Sequence, residues 1–307
     1  MKFKIDFQIP KRTFPTRWPS FYMMGSCFAE NQSKRMRNLG MNSYSNPFGI
    51  IYNPFSIEKI LSRLANDQDY KESDFQNMRR FFSWEHHGDY KYDNVDEALE
   101  WSNQTLKDSN KSLCQSDIVI LTLGTALVYK HQDTIVANCH KVPNKEFEHK
   151  ATSYDEVFKS LQASILHIQK LNPEAHIILT VSPIRHLRSG VIANSRSKAT
   201  LLSAVHELVS NSKNTSYFPS YEIFVDELRD YRFAKEDMAH PTPQAENYIW
   251  ERFCQVYFSE ETQKILQEVQ KYKDFTNHIP TNKLKHEEQV ARHRQNIYEK
   301  YPFITLT

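Results

Sequence analysis

Residues 20–40 read SFYMMGSCFAENQSKRMRNLG, and their reading decides the fold. The first six form a short, mostly apolar run that ends in glycine. Gly25-Ser26-Cys27 is a break of small residues. Apolar side chains then return at helical spacing, at Phe28, Met36 and Leu39, with Gln32 the polar member of that stripe. Gly40 stands where a helix stops, because glycine takes the positive φ of a C-terminal cap without strain. The segment therefore predicts strand, tight turn and helix.

The unit repeats along the chain. MNSYS (41–45) predicts a second short strand, and residues 46–54 a loop. SIEKILSRLA (56–65) is an amphipathic helix. Residues 66–95 are polar and aromatic and predict loops or a hairpin inserted over one end of the sheet. A helix over 96–113 leads to the apolar run 118–121, which enters a turn at Gly124 and suits a central strand buried on both faces. A helix over 153–173, a second buried strand within 176–184, a helix over 194–212 and a last strand within 215–228 complete the alternation. Strands alternating with helices predict a three-layer α/β/α domain, a doubly wound and mainly parallel sheet. That domain is expected to occupy residues 1–258. Residues 259–307 are highly charged with sparse apolar positions and predict a helical extension packed back on it.

Composition narrows the function. Of 307 residues, 39% are apolar and 25% charged, with a formal charge of only +2 and no basic block. Neither nucleic acid nor an acidic membrane is called for as a partner. No apolar run approaches the ~18 residues of a membrane span. The first residues carry positive charge but no apolar core of an export signal, so a cytoplasmic location is expected. Cys27, Cys114, Cys139 and Cys254 form no C-x-x-C pair and read as reduced thiols. Cys27, Cys139, His140 and His240 lack the compact spacing of a metal site. No metal and no cofactor is expected.

Two stretches can carry chemistry. At Gly25-Ser26-Cys27 a strand-to-helix turn would expose a nucleophile at the carboxyl end of the sheet, with the open N–H groups of the helix aimed at a developing anion. At Asp237-Met238-Ala239-His240-Pro241, the proline keeps His240 out of helical geometry, and Thr242-Pro243 starts the next helix. A carboxylate three residues before a loop histidine can hold one ring nitrogen and leave the other as a base.

The set GSCFAE, NPFGIIYNP, LTLGTALVY, NCHK, VSPIRHLRSG, NSRSKA and YFPSYEIFVDELRDYRFAKEDMAHP resembles the signature stretches of the GSCFA family, grouped with the SGNH (GDSL-like) hydrolases. The resemblance covers roughly residues 18–258. It implies a flavodoxin-like sheet and an esterase that removes an acyl group, for instance acetyl, from a small-molecule or glycan ester, or passes it to another acceptor. A non-catalytic glycan-binding or assembly module on the same fold is the reading from a different class.

SGNH enzymes usually carry Gly-Asp-Ser at the first turn. Aligned without a gap, Cys27 takes the nucleophile position; shifted by one, Ser26 does. Only one of two neighbours can face His240, and a thiol sits inside more comfortably than a hydroxyl, so Ser26 is expected outside and Cys27 inside. The usual Gly-x-Asn-Asp appears as Gly124-Thr125-Ala126-Leu127, without the asparagine. Gly49 and Thr125 are then expected to hold the oxyanion. Asn46, Asn53, Asn138, His140, Arg185 and His186 are the candidates for binding substrate.

Overall fold

Phe21, Tyr22, Met23 and Met24 are all buried, as a strand covered on both faces requires. The computed structural model describes residue 5 and residues 7–306. In chain order it contains β1 (Phe21–Gly25), α1 (Cys27–Asn38), β2 (Ser43–Ser45), α2 (Pro54–Ala65), β3 (Gln76–Met78), β4 (Arg80–Phe82), α3 (Val95–Gln115) and β5 (Ile118–Leu123). Then come β6 (Leu127–His131), β7 (Thr134–Val136), β8 (Glu148–Ala151), α4 (Tyr154–Leu171), β9 (His176–Val181), α5 (Val191–Ser210) and β10 (Thr215–Phe218). A short α6 (Ser220–Glu222) runs into a π turn, Ile223–Glu227. The chain continues with α7 (Pro243–Tyr257), α8 (Glu260–Thr276) and α9 (Lys283–Lys300).

The central sheet has five strands in the order β10-β9-β5-β1-β2. Every pairing in it is parallel. Counted along the chain these strands run 2-1-3-4-5, the doubly wound, flavodoxin-like order. The expected neighbours at 118–121 and 177–181 are indeed β5 and β9, paired Val119 with Ile177 and Leu121 with Leu179.

Strand alternation divides the apolar side chains between two cores. Phe21, Met23, Ile118, Ile120, Ile178 and Phe218 pack on α1, α7 and α8. Tyr22, Met24, Val119, Leu121, Ile177 and Leu179 face α2, α3, α4 and α5. The sheet is the middle of three layers.

Two regions differ from the sequence reading. Residues 127–151, read only as motifs, form a three-stranded antiparallel sheet in the order β7-β6-β8. It meets the β3–β4 hairpin, which does lie within 66–95, through Ala137 N–H to Trp84 O (2.8 Å) and a small cluster of Phe82, Trp84 and Val136. After residue 258, α8 places Ile265, Leu266, Val269 and Tyr272 in the core of the sheet face it covers, whereas α9 buries only Ile297. The chain then returns to Gly40, whose carbonyl accepts Thr305 N–H (3.1 Å) and Trp18 Nε1–H (3.2 Å). At φ +83°, a Cβ on Gly40 would lie 2.3 Å from Ile304 Cγ2. The helix stop is also where the extension docks. Among the described residues, no helix is long and apolar enough to cross a membrane.

Candidate active site

The order of the strands reverses between β1 and β5, and ligands of such sheets bind in the crevice outside the carboxyl ends at that point. Gly25 is level with Thr122 there. Gly25 has φ +143°, and an added Cβ would stand 2.2 Å from Thr122 O, so only glycine lets β1 end this close to β5. Its N–H donates to Asn46 Oδ1 (2.8 Å), and Ser26 N–H donates to Thr122 O (3.1 Å).

The chain then turns into α1. Ser26 is the N-cap residue, but its side chain does not cap. Its Oγ donates instead to Ser182 Oγ at 3.0 Å, beyond the end of β9, and the residue is 2% exposed. Cys27 is half-buried at the first turn of α1, close to its own N–H and that of Phe28. The expected exposed hydroxyl is not found, since Ser26 is buried on Ser182, while Cys27 is half-buried and packs against the core of the α1–α7–α8 face. The interior offers the hydroxyl a partner in Ser182, while sulfur, a weak acceptor, settles at the open end of the helix. Burial pushes the Cys27 thiol up. Its two N–H contacts and Lys235 act downward, and Glu246 upward.

The second stretch forms a tight loop closed by backbone bonds from Lys235 N–H to His240 O (2.8 Å) and Thr242 N–H to Phe233 O (2.8 Å). Asp237 Oδ1 accepts the N–H groups of Ala239 (2.9 Å) and His240 (3.0 Å). Asp237 Oδ2 lies 2.6 Å from His240 Nδ1, so the ring is held by one nitrogen on a side chain 40% exposed. The backbone N–H groups of His240 and Ala239, then the ring, hold Asp237 down at about 2. The expected orientation of an imidazole by its neighbouring carboxylate is present in the geometry.

A short segment joins the two parts. Ser182 N–H donates to Leu123 O (2.8 Å), Ile184 N–H to Ser182 Oγ (3.2 Å) and Arg185 N–H to Ala239 O (3.0 Å). Residues 182–185 therefore touch both the Gly25–Cys27 turn and the His240 loop. Beneath them Lys198 of α5, 1% exposed, donates from Nζ to Ser182 O (2.7 Å). Burial lowers this amine to about 7. Sequence reasoning noticed NSRSKA but missed Lys198 itself. Its signal is a lysine on a buried stripe of Asn194, Lys198, Leu201, Val205 and Leu208.

His186 also comes to this edge. Its ring lies 4.7 Å from that of Tyr52. Burial, then Lys198 and His240, push it down to about 3. A Cβ on Gly124 would meet His186 Nε2 at 2.8 Å and Tyr52 Cβ at 2.9 Å, which explains the glycine.

Other expected roles need correction. Gly49 N–H donates to Asn46 O (2.8 Å) within a turn, so it is not open to an oxyanion. Thr125 Oγ1 is engaged with Ser197 Oγ (2.9 Å) and accepts Leu127 N–H (3.0 Å). Asn53 caps α2, accepting Ser56 N–H and donating to Ser56 Oγ, both at 2.9 Å. Asn46 braces the turn by holding Gly25 and donating to Glu30 Oε2 (3.3 Å). Asn138 accepts His140 N–H (2.9 Å). His140 stacks on Phe82 at 4.2 Å, its Nε2 3.1 Å from His86 O, and burial lowers it to about 4. These two belong to the packing of the antiparallel layer. Backbone conformation and packing account for them without substrate.

The family model for GSCFA matches residues 20–253. The chain belongs to the GSCFA family. No functionally curated protein matches this GSCFA chain. Among solved structures it is similar to a Streptococcus pneumonia protein described provisionally as a platelet activating factor, at 12% identity and a TM-score of 0.39, covering 76% of this chain and 83% of that one. It is also similar to a carbohydrate esterase family 3 protein from Talaromyces cellulolyticus, at 9% identity and a TM-score of 0.37, covering 82% and 99%.

Proposed function

We infer that this GSCFA chain is a thiol-dependent acyl-ester hydrolase or acyltransferase, with Cys27 as nucleophile and His240, oriented by Asp237, as base. The observation that carries this reading is the difference in burial and bonding at the turn, where Cys27 alone keeps part of its surface exposed. Ser26 is spent on Ser182, and Cys27 lies at the open end of α1.

Burial keeps Cys27 a thiol, so its proton is removed in the reaction step. Sγ bonds to the ester carbonyl carbon as the proton passes to His240 Nε2. The N–H groups of Cys27 and Phe28 then face the developing oxyanion. Collapse breaks the carbon–oxygen bond, and the leaving alkoxide takes the proton from His240. Water or another hydroxyl then gives its proton to His240 and attacks the thioester, and the returning thiolate is reprotonated. A small-molecule or glycan ester is the substrate class, and the two outcomes differ only in the acceptor.

The test is turnover of a short-chain aryl ester by Cys27→Ala and Ser26→Ala. Cys27→Ala is expected to abolish turnover with little change in melting temperature, and iodoacetamide to inactivate the unmodified protein at Cys27. Turnover that survives Cys27→Ala, together with fluorophosphonate labelling of Ser26, returns the role to serine. No turnover and no selective labelling by either reagent removes the enzyme reading in favour of a binding module.

A further inference from the structure

Lys198 is an ionisable side chain placed where charge is expensive, 1% exposed, and the acyl-transfer steps above do not use it. Its surroundings say what it does. Nζ donates to Ser182 O (2.7 Å) and lies 5.5 Å from the centre of the Tyr221 ring, with His186 close enough to feel its charge. Ser182 in turn accepts Ser26 Oγ at 3.0 Å and Ile184 N–H at 3.2 Å. Three residues on, Arg185 N–H binds Ala239 O of the His240 loop. One short segment thus sets the position of the nucleophile turn and of the base loop, and Lys198 is the side chain that pins it from below.

We propose that Lys198 is a positioning residue: by holding the carbonyl of residue 182 it fixes the spacing between Cys27 and His240. The proposal rests on the assignment of those two residues as nucleophile and base. The reason an amine is kept here is reach. A lysine on α5 can cross beneath the end of β9 to a backbone carbonyl that no apolar side chain could hold. Displacements of about 1 Å in reacting groups cost up to about a hundredfold in rate.

The experiment compares Lys198→Met, which keeps length and volume but cannot donate, with Ser182→Ala, which leaves the Lys198 bond and removes the oxygen that accepts Ser26. Both are expected to lower kcat on a short-chain aryl ester by about tenfold to a hundredfold, with KM within about twofold. The pH profile of Cys27 alkylation by iodoacetamide should move upward, because the thiol has lost its aligned base. The melting temperature of Lys198→Met should hold or rise, since a buried amine is replaced by an apolar chain. A loss of kcat that merely follows a loss of melting temperature in both variants, or an unchanged kcat and alkylation profile, overturns the proposal while leaving Cys27 and His240 in place. If the unmodified protein neither turns over ester nor alkylates selectively at Cys27, the functional reading fails and takes this role with it.

Discussion

Asp237 makes three bonds to its own loop, and only one of them concerns the proton. In Asp237→Asn the oxygen can keep the Ala239 and His240 N–H groups, but the amide nitrogen then faces His240 Nδ1 and forces the proton onto Nε2. The base is lost with the loop intact. Turnover of an aryl ester should fall by up to about 10⁴-fold, with little change in melting temperature because the carboxylate is half exposed. Undiminished turnover would take the Asp237–His240 pair out of the mechanism. This pair was legible in the sequence because its partners lie three residues apart and Pro241 and Thr242-Pro243 mark the loop's end. The burial of Ser26 was not, because it depends on Ser182, 156 residues away. Lys198 lies on a readable buried stripe of α5, but its acceptor is a backbone carbonyl, which the stripe does not reveal.

At the level of elements, α7 is the support on which the His240 loop ends. Thr242 Oγ1 accepts Ala245 N–H at 3.3 Å, and Pro243 occupies the first helical position. Thr242→Ala should cost about 1 kcal/mol in urea unfolding. An unchanged midpoint would mean that Pro243 alone suffices to start the helix. The cap was readable beforehand, as were the inner strands of the central sheet, because burial on both faces leaves continuous apolar runs such as 118–121. Strands β6, β7 and β8 were not readable. Most of their side chains are half exposed or exposed, for example Lys130, His131, Glu148 and His149, so backbone ladders order them and apolar periodicity gives little sign. The same composition hid how the 259–307 segment divides. Ile265, Leu266, Val269 and Tyr272 do keep helical spacing, but the surrounding charges gave no sign that α8, and not α9, would seat its stripe in the core.

Across the whole molecule, burial lowers four histidines: His86 to about 3, His140 to about 4, His186 to about 3, and His176 in the same direction. The unfolded chain takes up these protons near pH 6.5 and the folded chain only well below it. Stability is therefore full above pH 6.5 and declines as pH falls towards 4, by at most about 1.4 kcal/mol per pH unit for each of His86, His140 and His186, with His176 acting in the same direction. Melting temperature should drop clearly between pH 7 and pH 5. His86→Phe, whose ring matches the stack on Phe48 at 4.8 Å, should flatten that drop, and a pH-independent melting temperature would contradict the buried neutral state. The division into two cores has a consequence in time as well as in space. A ribosome delivers residues 22–208, which furnish the α2–α5 face, before any of α7 or α8 exists. The opposite face, with Phe21, Met23, Ile118, Ile120, Ile178 and Phe218, is covered only by α1 until Tyr272 has emerged, roughly 3–13 s later at 5–20 residues per second. For that interval the nascent chain presents a half-covered apolar sheet, and the yield of the protein is decided by what shields that face while synthesis catches up.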